Sequence, residues 1–267
     1  MANLEKYGVL LSLKRLGNQL HCLPSLFNSS ASNWQLRACR YLYVTMEPTP
    51  DLPEILYISD PLCAWCYGMS PVIQRVKADY EGRVLVSVLS GGMITRDEVG
   101  PLRDSWNDLS GALAQVAQVT GVEFGPAFRQ LGPASSISLN SEPPSRAVAI
   151  FRQLDADHRA ATFAHEVQQL FFRDGQDLNN PASYEPLLAR HGLDGVEFRR
   201  RWSSADAAQA TQQEFAAVAR IGVKGFPTTI LRVGNQGYLL AHGFEPYAQF
   251  ASGLEQALRQ ARDEAGN

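Results

Sequence analysis

The sequence has no apolar run that approaches the roughly 18–20 residues needed to cross a membrane. It also lacks internal repeats and low-complexity tracts. Its charge is close to balanced, with 24 Lys and Arg against 27 Asp and Glu, so nothing favours a nucleic-acid partner. With 45% hydrophobic residues, the chain of 267 can bury a substantial core. These features predict a soluble globular protein that binds neither membranes nor nucleic acids.

Cysteine is scarce, and the chain contains a single C-x-x-C motif, Cys63-Ala64-Trp65-Cys66. A motif of this kind can supply half of the ligands of a zinc site, but no second motif or close histidine pair completes one here. His158 and His165 stand seven positions apart on a predicted helix, where solvated histidines are the rule. We therefore expect no metal and no cofactor.

The first 45 residues differ in composition from the rest. They carry five basic residues against one acidic residue, together with the polar run Asn28–Asn33. The apolar stretch Val9-Leu10-Leu11 is soon interrupted by Lys14-Arg15, so a secretory signal is a poor interpretation. We expect 1–45 to be a poorly ordered extension, with Met46 as the natural start and the cytoplasm as the compartment.

Cysteines in a cytoplasmic protein are more often catalytic than structural. Cys22 and Cys39 lie in the extension, where we expect no catalytic role. A disulfide between these two would be expected only in an oxidising compartment.

Hydrophobic patterns and turn residues predict an α/β protein interrupted by a helical block. The predicted strands are 55–59, 84–89, 228–233 and 238–241. The predicted helices are one that begins near Cys63, three that cover 96–119, 145–155 and 158–173, one between Asn180 and Gly192, one that follows Ser204 and one that begins at Pro246. We divide the chain into 46–94 and 216–267, which form one unit, and the helical insertion 95–215.

The C-x-x-C motif directly follows a predicted buried strand and begins a helix. The unpaired backbone N–H groups and positive dipole end of a helix N-terminus stabilise a thiolate. Cys63 occupies that position, whereas Cys66 lies one turn further inside. Cys63 is thus the expected nucleophile on a disulfide, and Cys66 the thiol that resolves the mixed disulfide. Asp60 would oppose thiolate formation if it is near, by an amount that the sequence does not settle.

A second element, Gly225-Phe226-Pro227-Thr228, precedes the third predicted strand. Its X-Pro bond can be cis in a tight turn that presents a backbone edge to an extended substrate. A trans proline that starts an edge strand is the alternative.

Together, the segments 57–68 and 225–228 resemble the DsbA-like branch of the thioredoxin superfamily, and within it the FrnE-type predicted disulfide isomerases. The resemblance covers roughly Glu54 to Ala261. It implies a thioredoxin fold with an all-helical domain inserted between the second and third strands. It also implies that Cys63 is the nucleophile, Cys66 the resolving thiol and Pro227 a cis-proline that faces them.

The same resemblance implies thiol:disulfide exchange with protein or peptide thiols, and with glutathione as a further partner. Ala64-Trp65 departs from the more familiar Gly-Pro and Pro-His dipeptides, which leaves the direction of the reaction open. Trp65 and Phe226 are candidates for an apolar rim that contacts substrate, with Trp65 exposed. For Tyr67 we instead expect packing beneath the helix.

Two alternatives remain. A glutathione-dependent transferase or isomerase of the kappa-class or chromene-carboxylate type would use the same cleft, although such relatives typically have Ser at the first cysteine position. A non-catalytic redox-sensing protein would use the pair only to switch a binding surface. The oligomeric state and the physiological substrate do not follow from the sequence.

Overall fold

A computed structural model describes residues 10–12 and 52–265. The expectation that 1–45 is poorly ordered therefore lies outside the described residues, except for the short strand at 10–12. Cys22 and Cys39 lie outside them as well.

In the part of the chain that the structure describes, seven strands form two sheets. They are β1 (Leu10–Ser12), β2 (Glu54–Ser59), β3 (Leu85–Ser90), β4 (Gly100–Pro101), β5 (Ser138–Leu139), β6 (Thr228–Val233) and β7 (Gln236–His242). The main sheet has the order β1-β7-β6-β2-β3, and β4 pairs with β5 in a separate two-stranded sheet. Strands β2 and β3 are parallel, whereas β6 is antiparallel to both β2 and β7.

The described helices surround this sheet. They are α1 (Ala64–Asp79), α2 (Leu102–Thr120), α3 (Pro126–Leu131), α4 (Glu142–Leu154), α5 (Ala160–Phe172), α6 (Glu185–Arg190), α7 (Gly195–Trp202), α8 (Ala205–Arg220) and α9 (Tyr247–Ala265). The order of elements is that of a thioredoxin fold with a helical block between β3 and β6, and the predicted fold class is confirmed. The domain boundaries at 94/95 and 215/216 stay a prediction.

Strand β2 is an interior strand of the main sheet. It pairs with neighbours on both sides, and Ile55, Tyr57 and Ile58 are buried. A strand covered on both faces needs a nearly continuous apolar sequence, which is the pattern that predicted it. The C-x-x-C turn thus begins at the end of a strand that is paired on both sides.

The inserted block is helical apart from its two-residue strand pair. The helix predicted over 96–119 begins only at Leu102, because Arg96–Glu98 form a 3₁₀ turn and Gly100–Pro101 pair with β5. Helix α7 was not predicted as a separate element. Its start is set by Asp194, whose carboxylate accepts the backbone N–H groups of Val196 and Glu197.

The block and the α/β unit share one hydrophobic core. Tyr67 at the start of α1 stacks on Phe172 of α5, with ring centroids 5.2 Å apart. Further along the same interface, the Gln74 side-chain amide donates to the Ala161 carbonyl at 3.1 Å. The insertion is therefore packed directly against the helix that begins at the cysteine pair.

Candidate active site

Cys63 is the N-cap of helix α1. Its backbone is extended, with φ −85° and ψ 113°, and its Sγ accepts the backbone N–H of Cys66 at 3.3 Å. The N–H of Cys63 in turn donates to the Asp60 carbonyl at 3.2 Å, which closes the turn between β2 and α1. A sulfur in this position receives one of the N–H groups that a helix start leaves unpaired.

The two cysteines differ in access to solvent. Both are free thiols; Cys63 retains 5% of its surface, whereas Cys66 is fully buried. Burial, followed by the effect of Cys63, raises the pKa of the Cys66 thiol well above its usual range. Cys63 thus retains slight exposure to solvent whereas Cys66 has none, and the raised pKa of Cys66 favours its protonated thiol.

Two hydroxyl groups fix the backbone at Cys66. Its carbonyl accepts hydrogen bonds from Tyr57 Oη at 2.9 Å and from Ser70 Oγ at 3.1 Å. Burial raises the pKa of Tyr57 well above its usual range, so that its hydroxyl stays a donor. The second cysteine is therefore anchored from both the sheet and its own helix.

The loop before β6 lies opposite Cys63. The Phe226–Pro227 peptide bond is cis, as the resemblance implied. The Cys63 thiol is directed at the Phe226 carbonyl oxygen, with a sulfur-to-oxygen distance of 3.7 Å. On the other side of the loop, the Gly243 N–H donates to the Pro227 carbonyl at 2.8 Å. Cys63 and the proline loop therefore face each other, as the resemblance implied.

The absence of a side chain at Gly91 leaves room for the ring of Phe226. A Cβ added at Gly91, just after β3, would lie 1.9 Å from the Phe226 ring. At the next residue, Gly92, φ is +70° and an added Cβ would lie 2.5 Å from the Phe215 ring. Only glycine allows the backbone to approach both rings this closely, so Gly91 sets how near the Phe226 ring of the proline loop can come, and Gly92 does the same for Phe215 of α8.

The Asp60 carboxylate is buried beneath the site, where it accepts hydrogen bonds from three places in the chain. Its Oδ1 accepts the Leu62 N–H and the Ser141 hydroxyl, both at 2.9 Å, and its Oδ2 accepts the Met93 N–H at 2.7 Å. Burial raises the pKa of Asp60, and these hydrogen bonds oppose that rise. Sequence reasoning noted Asp60 but missed Met93 and Ser141, which no local motif relates to it.

Gln168 of α5 connects the insertion to both sides of the motif. Its amide nitrogen donates to the Asp60 carbonyl at 3.3 Å, and its amide oxygen lies 2.5 Å from Ser70 Oγ, whose single proton is shared between this oxygen and the Cys66 carbonyl. It is almost fully buried. A polar residue inside an apolar helix face was the available signal for this contact, since buried amides require partners.

The predicted aromatic rim needs one correction. Trp65 is partly buried rather than exposed, because its indole packs against the hydrophobic core. Phe226 is also partly buried, against Gly91. Tyr67 packs beneath the helix as expected, against Phe172 and Phe124. The contact of Trp65 and Phe226 with substrate stays a prediction.

The described residues contain no group of three or more His, Cys, Asp or Glu side chains arranged to hold a metal ion. His165 stacks on Tyr67, and burial lowers its pKa. Among the described helices, none is long and apolar enough to cross a membrane.

Comparisons with known proteins agree with this architecture. A candidate protein disulfide isomerase from Nitrosomonas europaea superposes with a TM-score of 0.70, at 26% identity, over 79% of this chain and 99% of that chain. The cytosolic disulfide reductase DsbM from Pseudomonas aeruginosa gives a TM-score of 0.65 at 29% identity, over 78% of this chain and 99% of its own. DsbM has also been solved with glutathione.

A curated relative carries a different name. The ClpXP adapter protein SpxH from Shouchella clausii is 22% identical over 209 residues, which are 77% of this chain and 67% of that protein.

The family itself follows from a match over most of the chain. Residues 54–255 match the DSBA-like thioredoxin domain, a span that includes the cysteine turn, the inserted helices and the proline loop. The chain therefore belongs to the family of DSBA-like thioredoxin domains.

Proposed function

We propose that this protein is a thiol:disulfide oxidoreductase that exchanges disulfides through Cys63 and Cys66. The observation that carries the proposal is the placement of Cys63 Sγ. It accepts the Cys66 N–H at 3.3 Å at a helix start and lies 3.7 Å from the Phe226 carbonyl oxygen. A sulfur at a helix start that retains slight exposure beside the proline loop suits a thiolate that meets an extended disulfide substrate.

In the proposed reaction, the Cys63 thiolate attacks one sulfur of the substrate disulfide. A bond forms between Cys63 and that sulfur, the substrate S–S bond breaks, and the other substrate sulfur leaves as a thiolate. Cys66 then loses its proton and attacks Cys63 Sγ, which releases the second substrate thiolate. The substrate is reduced by two electrons, and the enzyme is left with a Cys63–Cys66 disulfide.

Turnover in this direction requires a thiol reductant, and we propose glutathione. Two glutathione molecules supply the two electrons and leave as oxidised glutathione, which returns both cysteines to thiols. The similarity to a cytosolic disulfide reductase that has been solved with glutathione supports the reducing direction, the glutathione partner and a cytoplasmic location.

The experiment is cysteine replacement with a model disulfide as substrate. Cys63→Ser should abolish exchange, because the attacking sulfur is removed. Cys66→Ser should still attack but accumulate a mixed disulfide with the substrate, which intact-mass spectrometry detects. Cys22→Ser and Cys39→Ser provide the matched control, since they make the same change outside the pair.

An unchanged exchange rate in Cys63→Ser would rule the proposal out. Failure of Cys66→Ser to retain any substrate would assign resolution to another thiol. The reduction potential of the Cys63–Cys66 couple then decides the direction, because a potential well below the cytosolic poise favours a reductase.

A second candidate function is binding without turnover. The 22% identity to a protein named as a ClpXP adapter favours a role in which the cysteine pair changes a surface that another protein recognises. Repeated cycles of disulfide reduction with glutathione as the reductant would contradict this candidate. A single stoichiometric oxidation that alters partner binding would support it.

A further inference from the structure

The outer edge of strand β3 is occupied by two charged side chains of the insertion. Among the described strands, β3 is one of the two outermost in the main sheet. Arg152 of α4 donates to the Val88 carbonyl at 2.6 Å, and Glu214 of α8 accepts the Ser90 N–H at 2.7 Å. The two side chains also form an ion pair. Since an outermost strand leaves backbone groups unpaired, the ion pair takes the place of a neighbouring strand at these two groups.

Glu214 acts at the point where the chain leaves the sheet, because Ser90 is the last residue of β3. On the inner side of this point, the Gly91 N–H donates to the Ser59 carbonyl of β2 at 2.9 Å. On the outer side, the Ser90 N–H donates to Glu214. The backbone at 90–91 is therefore held from both sides, and the outer acceptor comes from the insertion.

The backbone that Glu214 holds is also the backbone on which the proline loop rests. Gly91 lies so close to the Phe226 ring that an added Cβ would be 1.9 Å from it. The Phe226 carbonyl oxygen in turn lies 3.7 Å from Cys63 Sγ. A displacement of Ser90 therefore moves Gly91 and changes the space that is available to the loop opposite Cys63.

The burial of this ion pair indicates what it does. The side chains of Arg152 and Glu214 retain only 16% and 10% of their surface. Charges that are this buried lose most of their hydration, so apolar residues of similar volume commonly stabilise a fold equally well. Hydrogen bonds, however, are directional, and a carboxylate fixes the position of the N–H group that it accepts. The ion pair is therefore better explained by the position that it imposes on Ser90 than by a gain in stability.

We propose that Glu214, oriented by Arg152, is a positioning residue for the exchange reaction. It fixes Ser90 and Gly91, and thereby the approach of the proline loop to Cys63. The inference rests on the proposed function, because the position of the loop matters to the reaction only if Cys63 exchanges disulfides. The helical insertion then takes part in the geometry of the reaction without supplying a reacting group.

The test is Glu214→Gln with a peptide disulfide as substrate. The amide lacks the charge that holds Arg152 and the Ser90 N–H, so the end of β3 should shift and kcat/KM should fall about three- to tenfold. Alkylation of Cys63 by iodoacetamide, followed by peptide mass spectrometry, should not slow, because a small reagent does not use the proline loop. A fall in exchange without a fall in alkylation is the result expected of a positioning residue.

Glu54→Gln is the matched control. Glu54 lies at the start of β2, at the opposite end of that strand from the cysteine turn. Its carboxylate likewise pairs with an arginine, Arg232, and accepts a hydrogen bond from a serine of β3, Ser87. The burial is similar, with 12% of the Glu54 side chain and 15% of the Arg232 side chain exposed. This variant loses a comparable ion pair, but it should keep the wild-type rate of exchange.

A spectroscopic measurement follows the contact itself. The ring current of Phe226 shifts the NMR signals of the Gly91 α-protons, since the ring lies against this residue. Glu214→Gln should change these chemical shifts, whereas Glu54→Gln should leave them as in the wild type.

Glu214→Asp keeps the test open if Glu214→Gln does not fold. It retains the charge that faces Arg152 but withdraws the carboxylate from the Ser90 N–H by roughly 1.5 Å, the length of one C–C bond. Exchange and the Gly91 signals should then change in the same direction as expected for Glu214→Gln, and a folded Glu214→Asp with wild-type exchange would contradict the inference.

Equal exchange rates in folded Glu214→Gln and Glu54→Gln would overturn the inference. A parallel fall in alkylation would also overturn it, because the defect would then lie at the thiol and not at the loop. Should the wild-type protein exchange no disulfide, the proposed function fails, and the Gly91 signals decide the inference. Signals that change in Glu214→Gln but not in Glu54→Gln support the positioning of the loop, and unchanged signals refute it.

Discussion

The ring of Phe226 rests directly on the α-carbon of Gly91, so closely that a methyl group on that carbon would lie 1.9 Å from the ring. The Phe226 carbonyl faces Cys63 Sγ at 3.7 Å. The missing side chain at Gly91 therefore determines how near the proline loop comes to the candidate nucleophile.

Gly91→Ala should displace Phe226 and weaken exchange while the fold persists. A shift of the loop by about 1 Å is expected to lower kcat/KM roughly ten- to a hundredfold, and overpacking should cost about 1–3 kcal/mol of stability. Gly111→Ala is the control: no atom lies within 4 Å of an added Cβ there. It should raise stability by about 0.5–1 kcal/mol through helix propensity and leave exchange unchanged. Equal exchange rates in both variants would contradict the proposed role of the contact.

The resolving step should depend on pH through Cys66. Because burial raises the pKa of this thiol well above its usual range, little of it is ionised near neutrality. Release of a preformed mixed disulfide on Cys63 should therefore accelerate as pH rises through the alkaline range. Rapid mixing followed by acid quench at a series of pH values measures this rate. A release rate independent of pH would show that Cys66 does not need to lose a proton in that step.

Glu214→Gln should destabilise the protein. One carboxylate oxygen of Glu214 accepts the Ser90 N–H at 2.7 Å, and the other is paired with Arg152, which also donates to the Val88 carbonyl. Breaking a buried pair of this kind costs about 3–5 kcal/mol. Glu185→Gln breaks an exposed pair with Arg199 and should cost about 0–1 kcal/mol. Urea denaturation of both variants measures the two losses of stability. Equal losses would contradict the assignment of Glu214 and Arg152 as a buried pair that stabilises the fold.

Stability should fall at alkaline pH, and Tyr184 should account for part of the loss. Tyr184 is fully buried, its hydroxyl donates to the Leu178 carbonyl at 2.5 Å, and burial raises its pKa well above the usual value. In the unfolded chain a tyrosine ionises near pH ~10. The folded state therefore binds more protons above that pH, and the free energy of unfolding declines as pH rises.

Tyr184→Phe removes both the hydrogen bond and the ionisation. It should be less stable than the wild type by about 1 kcal/mol near neutral pH. Its free energy of unfolding should decline less steeply at alkaline pH, although Tyr57 still contributes to the decline. Denaturant titrations at neutral and alkaline pH test this. Parallel pH curves for the two proteins would refute the role of Tyr184.

Local patterns predicted those parts of the molecule that local forces determine. The apolar strand before Cys63, the helix that begins after it and the hairpin after Pro227 each follow from a short run of residues. The structure shortened the helix predicted over 96–119, because Gly100–Pro101 pair with a strand almost forty residues further along the chain. Such pairing depends on tertiary contacts, which periodicity does not report.

The residues whose hydrogen bonds hold the site together could not be predicted from the sequence, for the same reason. Asp60 and Ser141 are separated by 81 positions, and Ser70 and Gln168 by 98. Neither pair forms a motif, since hydrogen bonds between distant side chains leave no spacing to recognise. Trp65 illustrates the reverse error: its helical position suggested exposure, but packing against the core placed the indole partly inside.

The buried carboxylate of Asp60 ties the cysteine turn to Met93 in the loop after β3 and to Ser141 at the start of the insertion. Movement of the insertion away from the cysteine turn would remove the Ser141 hydroxyl from that carboxylate and leave it with only the Leu62 and Met93 N–H groups, in an interior that solvates charge poorly. We therefore expect the helical block to stay against the cysteine turn, and substrates of different shape to be accommodated by side chains at the rim rather than by hinge motion.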